Sequence, residues 1–173
     1  MKTYLKVSTS IGDFMIYLDT INAPVTSNYF KNLAEDGLLN HSSVFRIVTE
    51  SNTEMRSNAK IEVIQLGINN LTSKHSKTLK HETTKNTKLQ HKKWAVSAAR
   101  YEVGQNYPSF FICLRDEPEL DHGGLRHPDG EGFAVFGHVV DGFDTVETLF
   151  SKAEKTEFLK NEIEISNVKL EYK

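Results

Sequence analysis

FAVFGHVVDGFDTVETLFSK, residues 133–152, joins two patterns. FAVFGHVV (133–140) is a short apolar run rich in β-formers, which predicts a strand. Beyond it Phe143, Val146 and Phe150, with Leu149, make an apolar stripe at helical spacing. Asp141 is placed to cap that helix, so a second pattern runs from 141 to 152.

Working outward, the same short-strand grammar recurs. SFFICL (109–114), WAVSAA (94–99), KIEVIQ (60–65) and SVFRIV (about 43–49) each predict a strand. Residues 4–18 read as a hairpin turning at Gly12-Asp13. The chain closes on a strand at about 162–171, whose alternation slips near Ser166 and Asn167. An earlier helix lies within 24–36. Pro24 suits its first turn because the missing N–H costs nothing there, Val25, Tyr29, Phe30 and Leu33 share a face, and Gly37 fits just past its end. Seven or eight strands with two helices predict a mainly β, mostly antiparallel architecture. A closed barrel would remove its sheet edges, although pattern alone leaves a sandwich equally open.

Length and composition set the frame. With 173 residues, 38% hydrophobic and 25% charged, the chain suits one globular domain over 1–173. A net charge of −2 gives no global pull toward nucleic acid or anionic membrane. No run approaches the roughly 18 apolar residues of a membrane helix. MKTYLKVSTS lacks the apolar core of a signal peptide, so a cytoplasmic protein is expected, or a periplasmic or exported one if a leader has been removed. A monomer is the default.

Three candidate chemistries fare poorly. His122, His127, His75, His81 and His91 lack the spacing of a metal site and read as surface-loop residues, so no metal is expected. Cys113 sits within an apolar strand, where a thiol stays protonated and inert. Residues 73–93 hold seven lysines, three histidines and one glutamate, a basic patch within the long polar stretch 66–92. A solvated or ordered surface loop is the plain reading, and contact with an anionic partner the alternative. No aromatic residue interleaves with the lysines as single-strand stacking would need, so a nucleic-acid partner is not expected.

One residue resists a structural reading. Arg46 interrupts the apolar run SVFRIV, where a guanidinium needs a partner or a job. By itself it reads as an edge-strand arginine snorkelling to solvent.

Taken in order, APVTSNYFKNL (23–33), SVFRIV (43–48), IEVIQLG (61–67), WAVSAAR (94–100), SFFI (109–112), ELDHGG (119–124) and FAVFGHVVDGFDTVETL (133–149) resemble a cyclophilin, a peptidyl-prolyl cis/trans isomerase, over about residues 4–170. The resemblance is strongest to bacterial single-domain members. It implies a closed eight-stranded antiparallel β-barrel capped by two α-helices, with an active groove on its outer wall. It makes Arg46 the catalytic arginine and Gln65 the glutamine beside it. It places Val63, Ala99, Arg100, Ser109, Phe111, Leu120 and Phe133 at the substrate. It implies no cofactor. The partners would be proline-containing peptides and unfolded protein clients.

The sequence departs from the family at several of these positions. Ser109 replaces the glutamine of QFFI, and Val63 a methionine. The phenylalanine of the pocket floor falls at Ile61 or Glu62. Glu119 stands where many members carry the tryptophan that binds cyclosporin, which implies weak cyclosporin binding. Phe133 stands where a histidine is common. These changes leave a second reading beside the isomerase, a barrel that grips proline-containing segments with little turnover.

Overall fold

The computed structural model describes residues 1–54, 57–70 and 74–173. Met55 and Arg56 of the polar 50–59 loop, and Leu71, Thr72 and Ser73 ahead of the lysine-rich stretch, lie outside the described residues.

Among the described residues there are nine strands and three α-helices. In chain order they are β1 (Thr3–Thr9), β2 (Asp13–Leu18), α1 (Pro24–Glu35), β3 (Ser42–Val48), β4 (Val63–Gly67), β5 (Lys77–Thr78), α2 (Thr84–Thr87), β6 (Ala95–Arg100), β7 (Gln105–Cys113), β8 (Val135–Asp141), α3 (Phe143–Phe150) and β9 (Phe158–Tyr172). Hydrogen bonding runs β4-β3-β9-β1-β2-β8-β6-β7, and β7 returns to β4. The eight strands therefore close into the expected antiparallel barrel, with the two-residue β5 added to one end of β7. Closure satisfies both edges of every long strand and excludes a sandwich.

Inward positions build one core. Leu5, Val7, Ile16, Val44, Ile47, Ile64, Leu66, Phe110, Ile112 and Phe136 fill it, with Phe30 and Leu33 from α1 and Val146 and Leu149 from α3. Phe30 stacks on Phe136 at 4.4 Å between ring centroids. The slip foreseen in the last strand is a register shift opposite Ser8 and Thr9, where Asn167 and Ile165 are paired and Ser166 is skipped.

Asp141 ends β8 and does not cap α3; its carboxylate accepts from the Gly142 N–H, and Gly142 itself takes the N-cap position at φ 76°. A Cβ there would lie 2.4 Å from the Asp13 carbonyl oxygen, so both the left-handed backbone and the close approach require glycine. The first helix does end as expected. Gly37 lies at φ 69°, and the Gly37 and Leu38 N–H groups return to Ala34 and Leu33 carbonyls, a Schellman closure.

The long polar stretch carries β5 and α2. It lays Glu82 against the start of α1, which has no side-chain cap of its own from Ala23. The Glu82 carboxylate accepts from the Val25 N–H (3.2 Å), the Thr26 N–H (2.7 Å) and the Thr26 hydroxyl (2.6 Å). An anion at a helix N-terminus satisfies free N–H donors and meets the positive end of the helix dipole.

Candidate active site

Cross-strand register assembles the site. Gln65 pairs with Arg46 on one side and Phe111 on the other. Phe111 pairs with Ser97, and Ser97 with Val135. Directly paired residues share a face, so β3, β4, β7, β6 and β8 contribute one outward rung. Beside it Val48 pairs with Val63, and Val63 with Cys113. These outer residues join Ile61, Ala95 and Leu120 in a second, smaller apolar cluster outside the barrel.

Arg46 reaches that face through a bulge. Val44 and Ile47 point inward to the core. Strict alternation from Val44 would send Arg46 inward too. The β3–β4 register skips Phe45, between the Val44–Leu66 and Arg46–Gln65 pairs. One extra residue flips the remainder of the strand to the opposite face. Phe45 is buried and stacks at 6.4 Å on Phe158, and the Arg46 guanidinium lies 5.1 Å from the same Phe158 ring.

The guanidinium is held from two sides. Nη1 donates to Gln65 Oε1 at 3.2 Å, and Nη2 to Glu157 Oε1 at 2.6 Å. Gln65 cannot turn its amide around, because its Nε2 donates to the Tyr107 hydroxyl (3.1 Å) and to Ser109 Oγ (3.0 Å). Glu157, 2% exposed, is an anionic support behind an arginine side chain that is 26% exposed.

Beside Arg46 lies a cavity of about 120 Å³. Val48, Ile61, Val63, Ala99, Phe111, Leu120 and Phe133 supply its apolar lining, and Arg46, Gln65, Arg100, Tyr107 and Arg126 its polar rim. It has room for one small ring. Phe133 meets Phe111 edge-to-face at 5.5 Å, and its N–H donates to the Leu120 carbonyl, so the two walls are tied together. Ile61, not Glu62, takes the floor; the Glu62 carboxylate turns to Arg115 at 3.5 Å.

The structure thus gathers Arg46, Gln65, Val63, Ala99, Arg100, Phe111, Leu120 and Phe133 around one cavity. Two of the expected contacts change character. Ser109 is fully buried and does not line the cavity; its hydroxyl donates to the Leu66 carbonyl at 3.2 Å and accepts from Gln65. A serine is too short to pass Gln65. Arg100 lines the cavity, but its donors are committed: Nε and Nη2 to the Gly132 carbonyl, Nη1 and Nη2 to Asp129 at 2.9 Å each. It ties down the 127–133 segment and stacks under Phe133 at 4.9 Å.

Tyr107, Arg126 and Glu157 belong to the arrangement and were not anticipated. Tyr107 precedes SFFI by two residues and shares the outward face of β7. Burial raises its phenol above the ordinary range, with the Gln65 hydrogen bond and the Arg46 charge opposing, so the O–H stays protonated. His91 was expected on the surface and is instead buried, 6.0 Å behind Phe111 in a stacked geometry. Its Nδ1–H donates to Asp121 Oδ1 (2.7 Å), which leaves Nε2 to accept from the Ser97 hydroxyl (2.8 Å). Burial holds the imidazole below its ordinary pKa, against the pull of Asp121. Cys113 is buried as expected, and burial pushes its thiol well up. Glu119 accepts from the Leu125 N–H at 2.9 Å.

The geometry is that of a closed antiparallel barrel with an outer apolar recess beside a fixed arginine. The family model for cyclophilin type peptidyl-prolyl cis-trans isomerases matches residues 4–170, and the chain belongs to that family. Among solved structures, the cyclophilin type peptidyl-prolyl cis-trans isomerase of Cryptosporidium parvum is similar at TM-score 0.77 and 19% identity, covering 100% of this chain and 99% of that one. The same protein crystallised in the presence of the dipeptide Ala-Pro is similar at TM-score 0.75 and 19% identity, covering 98% and 99%.

Proposed function

We propose that this isomerase accelerates rotation about Xaa–Pro bonds in protein substrates with Arg46 as its catalytic donor. The observation that carries this is the cationic side chain fixed by Gln65 and Glu157 at the edge of a ring-sized apolar recess.

Amide resonance sets a barrier of roughly 18–20 kcal/mol. No nucleophile is required, only tighter binding of the twisted amide than of the planar one. As the C–N bond turns, the prolyl nitrogen becomes pyramidal and regains a lone pair. A guanidinium N–H aimed at it gains strength along the reaction coordinate. Arginine keeps its charge and offers several N–H donors, so it also holds the prolyl carbonyl. An acceleration of roughly a hundred-thousandfold needs about 7 kcal/mol. One preorganised donor supplies about 3–4 kcal/mol. The remainder falls to Phe111, Val63, Ile61, Leu120 and Phe133, which seat the ring and dry the amide. Tyr107 accepts from Gln65 and keeps its own proton to donate to the substrate backbone, a contact that Ser109 is too short to make.

The buried Ser109 also favours a second reading, a module that grips proline segments and turns over slowly. NMR exchange spectroscopy on a capped Ala–Pro peptide separates the two. Cis/trans exchange far above the uncatalysed rate supports the isomerase. Saturable shift changes without faster exchange would leave only the module.

A further inference from the structure

Among the described residues three charged side chains line the cavity, and all three are arginines: Arg46, Arg100 and Arg126. Arg100 is neutralised by its two-pronged bond to Asp129. Arg46 and Arg126 converge on a single carboxylate oxygen, Glu157 Oε1, at 2.6 Å and 3.7 Å. Glu157 can neutralise one of them, and Glu54 and Glu117 pull on Arg126 less than Glu157 does. Glu117 is engaged by Arg115 at 2.8 Å and by the Glu62 N–H.

The donor count agrees. Each guanidinium has five N–H groups. Among the described residues, Arg126 places one on an acceptor, Nη1 on the Ala59 carbonyl at 2.8 Å. Its side chain is 12% exposed, and among the described residues the buried donor left without a partner is Nε of the neighbouring Arg46 guanidinium. Burial and then the Arg46 charge both work against its proton, with Glu157 and Glu54 opposing. A ligand bringing one negative charge would complete this arrangement.

We infer that Arg126 is a specificity residue that selects a carboxylate carried beside the proline. This rests on the isomerase reading, which seats the proline ring in the recess. The carboxylate has two sources: the side chain of an Asp or Glu adjoining the proline, or the terminal carboxylate of a chain that ends in proline.

The test uses the full chain and a set of short peptides. End-capped Ala–Pro, Glu–Pro, Lys–Pro and Ala–Pro–Glu peptides are compared, together with Ala–Pro ending in a free carboxylate or an amide. NMR titration gives Kd and exchange spectroscopy gives turnover for the native chain, Arg126→Gln and Arg126→Lys. Native protein should favour at least one carboxylate-bearing peptide over its neutral counterpart by roughly tenfold, the size of a charge-assisted hydrogen bond. Salt should shrink that ratio, and Lys–Pro should bind least well. Arg126→Gln should bring the ratio close to one, and Arg126→Lys should keep part of it. Which peptide is favoured identifies the source of the carboxylate.

A native ratio within about twofold for every pair overturns the inference, that being the range of an exposed ion pair. So does a preference that survives Arg126→Gln in a folded protein. If Arg126→Gln does not fold, the native charge series and Arg126→Lys decide. Absence of turnover on every peptide would sink the isomerase reading alone, because the Kd ratios still judge Arg126.

Discussion

Replacing Arg46 by alanine removes two things at once, and a second substitution separates them. The first is the donor to the twisted amide. A preorganised donor of this kind is worth about 2.7–4 kcal/mol, so kcat/KM should fall roughly a hundred- to a thousandfold. The second is the partner of Glu157. Breaking a fully buried ion pair costs about 3–5 kcal/mol. Here the arginine side chain is 26% exposed and Arg126 stays 3.7 Å from the same oxygen, so the cost should be smaller. About 1–2 kcal/mol is expected once solvent screening is allowed for. For a chain of this size that lowers Tm by roughly 2–8 °C. In Arg46→Ala/Glu157→Gln the carboxylate left by Arg46 is gone, but Arg126 loses the same partner. Urea unfolding should recover only part of the lost stability, while exchange spectroscopy on a capped Ala–Pro peptide stays as slow as in Arg46→Ala. If the double variant regains rate in step with stability, Arg46 only props up the wall. If Arg46→Ala alone keeps a rate within about threefold of native, less than 1 kcal/mol, the donor mechanism is wrong.

Glu82→Ala strips the start of α1 of its carboxylate and should cost about 2 kcal/mol in a urea melt, with Glu82→Gln losing less because it still accepts; an unchanged midpoint would remove Glu82 as the cap. Tyr107→Phe deletes one acceptor of the Gln65 amide and the hydroxyl facing the cavity, so kcat/KM should drop roughly fivefold or more with little loss of stability. A native rate in Tyr107→Phe would leave Gln65 to Ser109 alone. His91 has a folded pKa below its unfolded value of about 6.5, so the unfolded chain binds the extra proton first. Its contribution is fully present above that value and is lost as pH falls toward the lower, folded pKa. The urea midpoint should decline below about pH 6.5, and a folded His91→Gln should flatten that decline; equal slopes in both proteins would refute the assignment.

The barrel was legible because alternation and turns are local signals, and inward residues such as Ile47, Ile64, Phe110 and Ile112 are the apolar ones at each second place. The cavity was legible in part, since Phe111 and Val63 take the opposite face of those same strands. Residues whose surroundings come from elsewhere in the chain were not. Glu82 and His91 sit among lysines, and no pattern within 66–92 says that one caps a helix 56 residues earlier or that the other packs behind Phe111. Glu157 lies in EKTEFL, where a glutamate reads as solvated, and its burial depends on two arginines from distant segments.

Arg46 marks the boundary between these cases. The resemblance identifies the residue, but alternation taken alone gives it the wrong address. Counting by twos from Val44 puts it inside the barrel with Ile64 and Leu66, where an arginine would have no carboxylate and no water. The extra residue at Phe45 turns it outward onto Gln65. Phe45 is itself stabilised by Phe158, the ring that also lies against the guanidinium. The bulge, the aromatic pair and the buried Glu157 next to Phe158 in sequence therefore act as one device: all lie within β3, at the start of β9 or one residue before it, and together they fix which way a charged side chain faces.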